Sequence, residues 1–187
     1  MRGCVGAEVV ADDKRIDAIE AEVEKLVVEV IALRAPMAND LRDVIAALKI
    51  VSVVERIGDY SKNLSELPDM GQAPFPDDEL THELLEIRQG IEGSFEAALE
   101  VFESSDQEKA IALIRQGRDV AHRCDSLIGR IAKSTYDAST TTVLVLAARY
   151  YKRIGGHVLN VLSSVIMPLH KVDYYDEDEI PSSVKAD

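Results

Sequence analysis

The 187-residue sequence predicts an all-α protein. Three observations predict it. Apolar residues recur at spacings of three and four along most of the chain, the period of an amphipathic helix. The apolar stock is rich in Leu, Ile, Val and Ala, with 5% aromatics and no Trp, which suits helix on helix better than a sandwich of sheets. A patterned segment also recurs 97 residues further on, as duplicated helical units would require.

In chain order, Ile16, Ile19, Val23, Leu26, Val30 and Leu33 form the stripe of a first helix. Pro36 interrupts it, since it disfavours helical geometry at Ala35 and cannot donate a helix hydrogen bond. Asn39 or Asp40 is expected to cap the second helix, whose stripe is Leu41, Val44, Leu48 and Val51 and which should run to about Leu67. Pro68-Asp69-Met70-Gly71 should stop it, and the proline-rich stretch to Asp78 reads as a linker.

A third helix should start after Asp77 or Asp78 with the stripe Leu84, Ile87, Ile91, Phe95, Ala98 and Phe102. Ser104-Ser105-Asp106 breaks it, with Asp106 as N-cap of a fourth helix carrying Ile111, Ile114, Ala121 and Ile128. A break near Asp137-Ala138-Ser139 leads to a fifth, about Thr141 to Leu169, ended by Pro168. The expected units are a two-helix hairpin over 8–68, a linker over 69–77, a three-helix unit over 78–170 and an acidic tail over 171–187.

With 21 basic and 34 acidic residues the formal charge is −13, which opposes binding to nucleic-acid phosphates or anionic lipid. The first seven residues are too short and polar for a signal h-region, and no apolar run reaches the roughly 18 residues of a membrane span. Cys4 and Cys124 make neither a CxxC pair nor a zinc-type cluster, which suits a reducing cytoplasm.

The most informative residues are acids where apolar residues belong. Extending Leu41, Val44, Leu48 and Val51 by the same steps lands on Glu55, with Asp59 one turn later. The first helix has its own pair, Asp13 and Asp17. Asp17 and Glu55 each lie 19 residues from Pro36, and Asp13 and Asp59 each lie 23. An antiparallel hairpin turning at Pro36 therefore sets Asp17 level with Glu55 and Asp13 level with Asp59. Clustered carboxylates repel, so protonation, basic neighbours, water or a cation must compensate. Oxygen ligands suit Mg, Ca, Mn or iron, whereas zinc usually recruits His or Cys. The competing reading is a solvated acidic rim with Lys14, Arg15 and Arg56 as local partners.

The repeat supplies a control. Glu55-Arg56-Ile57-Gly58 through Asn63 matches Lys152-Arg153-Ile154-Gly155 through Asn160. In the second unit Asp125 stands at the position of Asp17 and Lys152 at that of Glu55, while Ala121 replaces Asp13 and Gly156 replaces Asp59. One carboxylate of four survives, and a buried Asp125–Lys152 pair is expected to neutralise it. Substituting Lys152→Glu with Gly156→Asp should then restore metal uptake. His122 and His157 lie nearby, where ordinary packing or exposure is the simpler reading.

Three stretches carry a resemblance: Ala35-Pro36-Met37-Ala38-Asn39-Asp40-Leu41-Arg42 with Ala46 to Ile50, then Glu55-Arg56-Ile57-Gly58-Asp59 with Asn63, and Ala148-Arg149-Tyr150 through Asn160. Over roughly residues 10 to 170 the chain resembles the PhoU family of phosphate-uptake regulators. The resemblance implies two tandem three-helix bundles, here with the first short of its leading helix because little precedes Asp13. It implies a metal motif of paired acids, intact in Asp13, Asp17, Glu55 and Asp59, holding a divalent or trivalent ion such as iron, manganese, magnesium or zinc. It also implies a non-enzymatic cytoplasmic adaptor that lowers phosphate-starvation signalling by linking a phosphate ABC transporter ATPase to a sensor histidine kinase, with Arg42 and Lys49 on the partner faces.

An uncovered apolar stripe on the first hairpin favours association, so a homodimer is expected. The alternatives are a ferritin-like carboxylate metal protein, whose Glu-x-x-His pairs are absent around Glu55 and Asp59, and a purely structural dimerisation bundle.

Overall fold

A computed structural model describes residues 2–71 and 74–166, with side chains from residue 8 onward. It contains five helices: α1 (Arg2–Arg34), α2 (Asn39–Met70), α3 (Glu79–Ser104), α4 (Gln107–Ile131) and α5 (Ala138–Ile166). Among the described residues there is no strand. α1 pairs with α2, α2 packs on α5, and α3, α4 and α5 pack mutually. The expected end of the last helix at Pro168 and the acidic tail lie outside the described residues.

α1 begins earlier than its apolar stripe predicts, because no proline interrupts the residues before Asp13. It ends at a turn in which Ala35 (φ 43°) and Ala38 (φ 52°) both take positive φ. Pro36 keeps Ala35 out of right-handed helical geometry, so α1 cannot run on through it. Neither Asn39 nor Asp40 caps α2: the N-cap is Ala38, with no side-chain hydrogen bond. An alanine is strained there, at ψ −115° with positive φ, where only glycine is at ease. Ala38→Gly is therefore expected to raise stability by about 1 kcal/mol, read as a higher urea midpoint at unchanged slope.

α2 continues past Leu67 to Met70, with Pro68 inside its last turn. Leu67 is buried in a cluster it shares with residues of α3, α4 and α5, and the Ser139 hydroxyl donates to the Met70 carbonyl at 3.3 Å. These contacts hold the last turn despite the missing amide.

The other caps follow the sequence. Asp78 caps α3 through the Leu80 and Thr81 amides in a reciprocal capping box with the Thr81 hydroxyl, and Tyr136 donates its hydroxyl to the same carboxylate. Hydrogen bonding, first from Tyr136, holds the Asp78 carboxyl below its usual range. Asp106 caps α4 at the Lys109 amide, and Asp137 accepts from the Ser139 and Thr140 amides at the start of α5.

Two buried clusters form the core. One joins Leu67 of α2 to Leu84, Ile87 and Ile91 of α3, Cys124, Leu127 and Ile131 of α4, and the first half of α5. The other joins Ala98 and Val101 to Ala110, Ile114, Val158, Leu159 and Leu162. The helical stripes differ in detail from expectation. Phe95 and Phe102 of α3 are exposed and Val101 is buried, while α4 buries Ala110, Cys124, Leu127 and Ile131 beside Ile114. On α1 only Val27 is buried among the apolar residues described, and Ile19, Leu26, Val30 and Leu33 of the expected stripe are exposed. α1 packs on one helix rather than two, so half of a stripe wide enough for two neighbours stays open. No described helix is long and apolar enough to cross a membrane.

Candidate carboxylate site on the first hairpin

The turn at Pro36 sets the register that the acids need. Ser52 donates to Glu20 across the hairpin at 2.8 Å, and the two residues are each 16 positions from Pro36. The acids of α1 and α2 thus come level in the half of the hairpin far from the turn, and not at its end, since α1 starts at Arg2 and α2 runs to Met70. Gly58 brings the helices together there: a Cβ on it would lie 3.0 Å from Cδ1 of Ile16 and 3.5 Å from Oδ1 of Asp13. Asp13 is buried at 6% exposure, an unusual place for a carboxylate.

What compensates Asp13 is a lysine. Lys62 Nζ donates to Asp13 Oδ2 at 2.7 Å and to Asp59 Oδ1 at 2.9 Å, bridging α1 and α2. The two acids in turn hold the ammonium charged, Asp13 most strongly. Glu55 is half-buried and its carboxyl is raised above its usual value, first by burial, then by Asp59, Glu20 and Asp17. Asp17 is exposed. The structure therefore joins Asp13 and Asp59 directly through Lys62 and sets Glu55 in the field of Asp17 and Asp59. Among the described residues, no three carboxylate, His or Cys side chains converge as a ready metal-ligand set.

Sequence reasoning missed Lys62, Glu20 and Ser52. Glu20 was open to inference, because positions 13, 17 and 20 share the step that draws the α1 stripe. Lys62 lies three residues beyond Asp59 on the same face, but a length-matched pairing does not reach it. Only the long lysine stem spans the extra turn back to Asp13.

The raised carboxyl of Glu55 gives a pH prediction. A carboxyl raised on folding binds its proton more tightly in the native state, so its ionisation costs stability as pH rises through its range. In chelator-treated protein, Glu55→Gln is expected to melt higher than the parent at pH 7.5. That advantage should shrink to nothing as pH falls below the usual glutamate value of 4.5. Melting curves at both ends of this range check it, and a pH-independent difference would contradict the assignment.

In the second unit, Lys152 Nζ donates to Asp125 Oδ2 at 2.6 Å. The pair expected from the sequence forms, but it is not fully buried: Lys152 is 15% exposed and Asp125 50%. Nothing lies within 4 Å of a Cβ built on Gly156, so the position of the missing acid is open space. His122 is exposed. His157 is buried with Nδ1 lacking a hydrogen-bond partner, and its ring stacks on Tyr60 with centroids 5.7 Å apart. Burial, then Arg56 and Arg153, pushes its pKa down, so it packs as a neutral ring. Tyr60 and His157 are 97 residues apart, the repeat distance, so equivalent positions of the two units meet at the α2–α5 seam. Burial pushes the Cys124 thiol up to about 11, which leaves it inert at neutral pH.

Comparison with known proteins places these features in a family. A model described as the PhoU domain matches residues 5–67. A phosphate-specific transport system accessory protein PhoU homolog from Caulobacter vibrioides is 30% identical over 163 residues, covering 85% of this chain and 71% of the relative. The protein of the same description from Zymomonas mobilis is 31% identical over 170 residues, covering 86% and 69%. The crystal structure of PhoU from Pseudomonas aeruginosa superposes with a TM-score of 0.76 at 24% identity, covering 86% of this chain and 79% of that one. The phosphate transport system regulatory protein PhoU from Streptococcus pneumoniae gives 0.78 at 16% identity, covering 94% and 82%. At these identities the two structures speak for the fold.

Proposed function

Because the chain belongs to the PhoU family, we propose that it is a non-enzymatic regulator of phosphate transport, acting in the cytoplasm as an adaptor between a phosphate ABC transporter ATPase and a sensor histidine kinase. The observation that carries this reading is similarity to phosphate-transport accessory proteins across most of the chain, not across the paired acids alone. The long exposed helical surfaces support an adaptor, and on α2 Arg42 is exposed and Lys49 half-buried. Co-purification of the tagged chain with the transporter ATPase and with the kinase tests it. Capture of neither, from cells grown in either high or low phosphate, would sink the adaptor reading.

On the same reading, Asp13, Asp17, Glu55 and Asp59 hold a divalent or trivalent cation. The support is chemical: an all-oxygen donor set, a buried Asp13, and a positive charge already standing between Asp13 and Asp59. Such an ion would relieve the mutual repulsion that raises Glu55. Elemental analysis of the purified protein tests occupancy. Lys152→Glu with Gly156→Asp tests the second unit, since the open space at Gly156 admits the new side chain.

The exposed Ile19, Leu26, Val30 and Leu33 of α1 support self-association as a homodimer. Light scattering at micromolar concentration decides this, and a clean monomer counts against it. The ferritin-like alternative finds no support on α2, where the residue three after Glu55 is Gly58 rather than His.

A further inference from the structure

We propose that the apolar groove between the first hairpin and α3 docks one amphipathic helix of a partner protein, with an apolar stripe facing inward and basic residues along its edges.

The groove has a volume of about 580 Å³. Its walls include Ile16 of α1, Ile50 and Ile57 of α2, and Phe95, Leu99 and Phe102 of α3. The three α3 side chains follow at steps of four and three, on one helix face, and all are exposed. Large apolar side chains gathered at the surface in this way mark a place of association.

The repeat tells what shape belongs there. In the second unit the counterparts of Ile16, Ile50 and Ile57 are Cys124, Ala147 and Ile154. All three are buried in the cluster that also holds Leu84, Ile87 and Ile91 of α3. Gly58, which also lines the groove, has Gly155 as its counterpart, and there Ile91 of α3 lies 3.8 Å from a built Cβ. The groove faces of α1 and α2 thus repeat faces that a third helix covers in the second unit. Duplicated units bury equivalent faces in equivalent ways, so the occupant is a helix lying on α1 and α2 as α3 lies on α4 and α5. α3 itself cannot serve, because its buried stripe already lies in its own unit.

Charge selects the helix. Glu8 and Asp12 stand on the α1 bank, and Glu96 and Glu103 follow Phe95 and Phe102 on the α3 bank; all four are exposed. From Phe95 to Ser104, α3 carries three glutamates and no basic residue. On the α1 bank Arg15 is paired with Asp12 at 3.0 Å. A helix edged with Lys or Arg is attracted by both banks, whereas an acidic helix is repelled. A second copy of this chain, at a formal charge of −13, brings mostly like charge to the same banks.

The test uses the full chain in about 0.15 M salt and three fluorescein-labelled synthetic peptides of about 18 residues, long enough to hold a helix. The first has a leucine stripe at helical spacing and lysine elsewhere. The second has the same composition in scrambled order, and the third keeps the stripe with glutamate in place of lysine. By fluorescence anisotropy the striped lysine peptide is expected to bind at least tenfold more tightly than either of the others. Phe95→Ser with Phe102→Ser should weaken it at least tenfold, and Glu96→Gln with Glu103→Gln should weaken it several-fold. Circular dichroism checks folding; should the double serine variant fail to fold, Leu99→Gln, at the most exposed of the three α3 positions, should weaken binding in its place. Equal binding of the striped and scrambled lysine peptides would overturn the groove and leave attraction by charge alone. No binding of the striped lysine peptide would overturn the partner helix. So would a parent dimer that Phe95→Ser with Phe102→Ser turns into a monomer in light scattering, since a second copy would then fill the groove. Neither transporter nor kinase enters these measurements, so their outcome is separate from that of the adaptor reading, which co-purification tests.

Discussion

Replacing Leu127 with Ala is expected to lower the unfolding free energy by about 3 kcal/mol, within the roughly 2–5 kcal/mol range for emptying a packed leucine site. Leu127 has no exposed surface and sits on α4 in the cluster that also holds Ile87, Leu144 and Leu67. Its surroundings come from helices braced on one another, so the cavity cannot collapse easily. The effect should not stay within α3–α5. Leu67 inserts the end of α2 into the same cluster, so hydrogen exchange should show lost protection near the C-terminal end of α2 as well. Denaturant unfolding gives the magnitude, and a drop under about 1 kcal/mol would show that the site relaxes.

The second large effect lies at the glycine of the repeated Arg-Ile-Gly segment, where the two units give opposite expectations. In a helix interior Gly→Ala alone gains about 1 kcal/mol. At Gly155 a new Cβ would meet Ile91 at 3.8 Å, an ordinary contact, so Gly155→Ala should keep most of that gain. At Gly58 the new Cβ would stand 3.0 Å from Ile16 and 3.5 Å from the Asp13 carboxylate. Overpacking there costs about 1–3 kcal/mol and pushes α1 off α2. Gly58→Ala should therefore come out neutral to about 2 kcal/mol destabilising, and Gly58→Val, larger and β-branched, more destabilising than Gly58→Ala. Paired melts of the equivalent variants check this, and matching responses at the two glycines would contradict it. The same substitution should weaken the Asp13–Lys62 contact, since Gly58 is what admits Asp13 to the seam.

The helices themselves were legible because each carries its own periodicity and punctuation. Asp78, Asp106 and Pro36 mark boundaries by local chemistry alone, and local chemistry survives packing. The register of the hairpin was legible for a related reason. A short turn fixes which residues come level, as the Glu20–Ser52 bond shows. Asn39 and Asp40 misled because the strained turn at Pro36 starts α2 one residue too early for Asn39 to cap it and two too early for Asp40.

By itself, then, the sequence determined the five helices, the pairing of α1 with α2, and the Asp125–Lys152 contact. All of these depend on spacing along the chain or across one short turn. Only the tertiary structure decided which part of each stripe is buried, that Leu67 joins α2 to the α3–α5 core, and that Lys62 stands between Asp13 and Asp59. Those outcomes depend on how many neighbours a helix has and on how far a long side chain reaches in three dimensions. A periodic pattern records that a face is apolar, but not whether one helix or two will cover it.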